Sequence, residues 1–187
     1  MNLRLMPATV IAMMASLCVA QQTPADWRSF TSSKGFSVKY PRSWLPKGTS
    51  TDRLTLLSSK GGAEALVIRP GQGLISVMED GDSLNTTLDQ VVDRYLRDTF
   101  ALSRRSLENE NAGALGCRAM IEIVSREAAV PPEDVPSPPP FIINTEYFCQ
   151  VGRHKYVTAL RNFEGDERQA SYQRVALQVA KTLRADR

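Results

Sequence analysis

The chain has 187 residues, with 23 basic against 20 acidic side chains, one histidine and three cysteines. So even a balance, with the basic residues scattered rather than striped, argues against a nucleic-acid partner. The few Cys and His residues do not supply a zinc site, and the length admits one domain with a sizeable core.

Met1 to Arg4 is short and positive, and an apolar run from Leu5 to Ala20 follows, interrupted only by Pro7, Thr9 and Ser16. A charged start, an apolar centre and a small final residue form the pattern of a secretory signal, with cleavage expected after Ala20. A retained anchor is the alternative, although the run falls short of the roughly 20 clean apolar residues of a spanning helix. Cys18 also admits a lipoprotein reading, against which Leu17 is large for the residue preceding a lipidated cysteine. The expected division is a signal at 1–20 and one domain at 21–187, exported to a periplasmic or extracellular space. The mature chain then carries no transmembrane span.

Phe36 to Tyr40 places Phe36, Val38 and Tyr40 on one face and Ser37 and Lys39 on the other, the period of a half-buried strand. Pro41, which has no N–H to give a ladder, is expected to end it. Leu54 to Ser58 and Ala63 to Arg69 are further strand candidates joined through Lys60-Gly61-Gly62, and Ile75 to Glu79 is another.

Leu88, Val91, Val92, Tyr95, Leu96 and Phe100 form one apolar helical stripe. Thr87 with Gln90 has capping-box spacing, and Thr86 with Asp89 competes with it one residue earlier. A second helix is expected from about Glu167 to Leu183, with its stripe on Tyr172, Val175, Ala176, Val179 and Leu183.

Long strands are expected between the helices. Leu115 to Val124 would place Leu115, Cys117, Ala119, Ile121 and Ile123 on one face. Ile142 to Val151 would place Thr145, Tyr147, Cys149 and Val151 together, before a basic turn at Gly152-Arg153-His154-Lys155 leads into Tyr156 to Phe163. Short connections favour antiparallel neighbours. Cys117 and Cys149, the two cysteines beyond the signal, are a disulfide candidate in an exported protein, with two separate buried thiols as the alternative.

Residues 130–140 hold six prolines and two acids. That composition predicts an extended loop between two strands. It is either a stiff soluble connection or a docking arm in which Pro136, Pro138 and Pro139 meet a partner, and Arg153 and His154 are further partner-binding candidates.

The chemistry-bearing motifs are few. His154 is the single histidine, and no Gly-x-Ser-x-Gly elbow accompanies it. Glu79, Asp80 and Asp82 lack the spacing of a calcium loop, and Gly71-Gln72-Gly73 lacks the lysine and helix of a phosphate loop. Asn85-Thr86-Thr87 matches a glycosylation sequon, relevant only in a eukaryotic secretory host. Catalytic, metal and cofactor residues are accordingly assigned to none.

An export signal, then Trp27 and Phe30, then Gly35-Phe36-Ser37-Val38-Lys39-Tyr40-Pro41-Arg42-Ser43-Trp44 resembles the opening of the PsbP-like family, whose bacterial members include DcrB-like and other exported proteins. The element order resembles that family over residues 26–185. The resemblance implies an α+β fold, an α/β/α sandwich with a central, mostly antiparallel sheet flanked by helices. It also implies non-enzymatic binding or assembly. The function expected first is therefore an accessory protein of the cell envelope acting through protein–protein contacts. The alternatives are a carrier of a small apolar ligand between sheet and helices, and a hydrolase using carboxylates such as Glu122 or Glu146.

Overall fold

The computed structural model describes residues 26–32, 35–50, 53–57, 74–79, 85–128 and 141–185. The signal at 1–20, the Ala63–Arg69 strand with its Lys60-Gly61-Gly62 turn, Gly71-Gln72-Gly73, Asp80, Asp82 and Pro136, Pro138 and Pro139 lie outside these residues.

Ten strands and two helices are described: β1 (Trp27–Thr31), β2 (Phe36–Pro41), β3 (Leu45–Ser50), β4 (Arg53–Leu57), β5 (Leu74–Glu79), α1 (Leu88–Arg97), β6 (Ala101–Glu108), β7 (Ala119–Ala128), β8 (Phe141–Val151), β9 (His154–Phe163), α2 (Gln169–Thr182) and β10 (Arg184–Ala185). Seven strands form one antiparallel sheet in the order β3-β4-β5-β9-β8-β7-β6. A second sheet, β1-β2-β10, has three strands. This is the expected α+β class with a central antiparallel sheet between helices.

The two faces of the large sheet are packed differently. On one, Tyr147, Cys149, Tyr156 and Leu160 meet Tyr172, Ala176 and Val179 of α2 and Phe36, Val38, Tyr40 and Trp44 from the β2 region. Phe36 meets Tyr156 edge-on with ring centroids 5.5 Å apart, and Trp44 meets Tyr172 at 5.6 Å. The Phe36–Trp44 stretch thus does what its alternation predicts, supplying one inward face and a buried tryptophan. On the opposite face α1 sets Val91 and Val92 on Ile121, Ile123 and Phe148. Burying those two valines contributes about 4 kcal/mol gross.

Several expectations are corrected in detail. β2 runs through Pro41, which pairs with Trp27. α1 starts at the Thr87–Gln90 capping box, with both reciprocal hydrogen bonds present. It ends at Arg97, three residues before Phe100, which is therefore off the apolar stripe and 74% exposed. β7 begins at Ala119 rather than Leu115. Cys117 precedes the strand and sits in the α2-side core, apart from Ile121 and Ile123 on the α1 side. The turn after β8 is only Gly152-Arg153, with Gly152 at φ 60°, a conformation that favours glycine. His154 and Lys155 are already strand residues; Lys155 is 2% exposed and gives its ammonium to the Arg153 carbonyl at 2.9 Å.

Candidate functional site: an open sheet edge

β6 closes one end of the seven-stranded sheet, and among the described residues it pairs only with β7. Seven of its eight residues are exposed. It is nevertheless held firmly. Arg104 reaches over the α1 side to Asp89 and Asp93, one helical turn apart, and clamps helix to strand. Arg105 reaches over the other side to Glu122 at 2.8 Å, and Glu122 is buried. The guanidinium groups thus lie on the sheet faces. Among the described residues no strand pairs with the outer backbone edge of β6, which leaves it a template for a further strand.

At the start of β6 the surface turns apolar. Phe100 is 74% and Leu102 is 51% exposed. The register of β6 on β7 shifts between Ala101 and Ser103, a bulge at Leu102. The Phe100 carbonyl accepts from the Arg126 N–H at 3.2 Å. Arg126 in turn places its guanidinium carbon 3.5 Å from the centroid of the Phe141 ring. Phe141 is itself 40% exposed. Phe100, Leu102 and Phe141 therefore share one corner, formed by the start of β6, the end of β7 and the start of β8.

Of the predicted partner-binding residues only Arg153 and His154 are among the described residues. Ala128 and Phe141, paired across β7 and β8, are at that corner, and they bracket the segment containing Pro136, Pro138 and Pro139. Arg153 and His154 lie just past the other end of β8, a strand of 11 residues. That length corresponds to about 35 Å of strand. His154 is half-buried, its ring centroid 6.3 Å from that of Tyr156. Cys117 and Cys149 form the expected disulfide, with Cα atoms 5.8 Å apart. Both are buried, so the bridge is a structural part of the α2-side core.

The two carboxylates of the hydrolase alternative lie on opposite faces of the sheet. Glu122 is opposite Tyr147 and faces α2, whereas Glu146 is opposite Ile123 and faces α1. Beneath the last turn of α1, Glu146 interacts with Tyr95, and its Oε2 is buried without a hydrogen-bond partner. Burial first, then the nearby Glu127 charge, raises the Glu146 pKa to about 7, against the lowering effect of Tyr95. Burial and the nearby Glu146 push Tyr95 up to about 12. Tyr147 is also raised, by burial and then by the Glu122 charge. The space between sheet and α2, where an apolar ligand would be carried, holds the fully buried Tyr147, Tyr156, Met120 and Leu160 side chains.

Sequence reading missed the exposed corner because Phe100 fits the α1 stripe by spacing alone. The signal available was Phe100 lying beyond three polar residues, Arg97, Asp98 and Thr99, where a short helix can end before its pattern does.

No protein-family model and no curated protein sequence matches the chain. Similar solved structures include a Bacteroides thetaiotaomicron protein, at TM-score 0.52 and 13% identity over 87% of this chain. The chain spans 49% of that protein's length. A Pseudomonas aeruginosa protein of unknown function is similar at TM-score 0.48 and 10% identity, over 81% of this chain and 94% of its own. The PsbP of the cyanobacterium Synechocystis sp. PCC 6803 is similar at TM-score 0.40 and 12% identity, over 88% and 95%. At these identities the likeness is one of fold alone.

Proposed function

We propose that this chain is an exported, non-enzymatic accessory protein of the cell envelope that binds an extended segment of another protein along β6. The observation that carries the reading is the open β6 edge with Phe100 and Leu102 exposed at its leading end. Strand addition draws affinity from main-chain hydrogen bonds and specificity from alternate side chains. Phe100 and Leu102 offer the incoming strand apolar contact at one end. A second copy of this chain is a poor occupant, because antiparallel self-pairing about the strand centre would set Arg104 and Arg105 of both copies side by side.

Export is supported by the Cys117–Cys149 disulfide, which fits an oxidising compartment. Among the described residues no helix is long and apolar enough to cross a membrane. The signal pattern at 1–20 adds to the same reading.

The test is affinity purification of the tagged chain from envelope extract, comparing wild type with Leu102→Glu. A specific partner that is recovered with wild type and lost with Leu102→Glu supports the reading. Equal recovery with both, or none with either, contradicts it.

A further inference from the structure

A cleft of about 410 Å³ lies between the three-stranded sheet and the C-terminal turn of α2. That volume falls in the range of small-molecule sites. Three separate elements each contribute a basic residue to its wall: Lys39 from β2, Lys181 from the last turn of α2, and Arg184 from β10. No carboxylate is among the lining residues, and hydroxyl and amide groups, including Thr182, Asn109 and Gln178, make up most of the remaining wall.

The end of α2 would by itself repel an anion, since its last carbonyls carry the negative end of the helix dipole. Those carbonyls are already engaged. Asn109 Nδ2 donates to the Lys181 carbonyl at 3.0 Å, Thr182 Oγ1 to that of Val179 at 2.8 Å, and Arg184 Nη1 to that of Leu183 at 2.9 Å. The arrangement is also stitched in place. The Lys39 N–H donates to Thr182 Oγ1 at 2.8 Å, which ties the backbone of one lysine to the residue following the other. Among the described residues neither Lys39 nor Lys181 forms an ion pair with a carboxylate. A wall with three basic residues and no carboxylate is complementary to a negative charge.

We propose that this cleft binds a small, polar organic anion. Its phosphate, sulfate or carboxylate group is held by Lys39 and Lys181, and its hydroxyl-bearing remainder lies against the amide and hydroxyl wall. The site is at the far end of β6 from Phe100, beside the Asn109 loop, and is independent of strand addition there.

Isothermal titration of the purified chain with glucose 6-phosphate, glucuronate and neutral glucose tests it, with phosphatidylglycerol vesicles as a further arm. At least one of the two soluble anions is expected to bind with Kd below about 1 mM and at least about tenfold more tightly than glucose. Its binding should weaken as salt rises. The Lys39→Gln/Lys181→Gln double variant should lose about tenfold or more in affinity with an unchanged melting temperature. Absence of soluble-anion binding, equal affinity in the double variant, glucose binding as tightly as the anions, or binding to vesicles alone would each overturn the proposal.

Discussion

Tyr95 and Glu146 interact beneath the last turn of α1, which makes the seat of that helix sensitive to pH. Glu146 titrates at about 7 in the folded chain against 4.5 ordinarily. Between those values the unfolded chain has released this proton and the folded chain still holds it. Folded stability from this group is therefore complete below pH 4.5 and declines as pH rises through about 7. The loss across the window is on the order of 3 kcal/mol. Glu146→Gln removes the titration, so its stability relative to wild type should rise steadily from pH 4.5 to 7 and then level off. Urea unfolding at several pH values measures this, and a pH-independent difference would contradict it.

The Cys117–Cys149 bridge closes a loop of sequence separation 32. By chain entropy it should contribute roughly 3–4 kcal/mol. The Cys117→Ser/Cys149→Ser variant should unfold at correspondingly lower denaturant, and reductant should shift wild type alone. Two free thiols in the denatured, unreduced chain would show the bridge to be absent.

What could be read from the sequence followed burial. β2, β8 and β9 were legible because one face of each meets the α2-side core, so alternation is written into Phe36, Val38 and Tyr40 or Tyr147, Cys149 and Val151. β6 was not legible. Both its faces are exposed, and it is held by Arg104 and Arg105 reaching acids on α1 and β7, partners that no local period reveals. β1 was missed for a related reason, since Trp27 and Phe30 are three apart and only half-buried. The two-sheet division was equally hidden, because β10 is two residues long and reaches β2 only after the chain has returned through α2. Of the candidate site, Phe100 reads only as the end of the α1 stripe, and neither Leu102 nor Phe141 is singled out.

The start of α1 provides a local test. Thr87→Ala removes the side-chain acceptor for the Gln90 N–H and should cost about 1 kcal/mol. Thr86→Ala, at the competing start, should cost less. Thermal or urea unfolding of both variants compares them, and a larger loss at Thr86 would place the cap one residue earlier.

Two phenylalanines should separate binding from stability. Phe148 is buried against Tyr95 with ring centroids 5.3 Å apart, and Phe148→Ala should cost about 3–5 kcal/mol. Phe100→Ser should change stability by no more than about 0.5 kcal/mol, because its ring is mostly in solvent. Partner recovery should nevertheless fall with Phe100→Ser. A strongly destabilised Phe100→Ser would mean that the ring belongs to the core.

Strand addition at β6 is tested most directly by placing a photo-crosslinking amino acid at Leu102, and separately at Arg153, in cells that export the chain. The account predicts one discrete crosslinked protein from position 102 and none from position 153. Ser106 pairs with Ile121 at a position whose N–H faces away from β7, so loss of the crosslink when Ser106→Pro is added would locate the contact on the β6 edge, provided that variant keeps the wild-type fold by circular dichroism. Crosslinking from position 153 alone, or from neither position, would contradict the central claim.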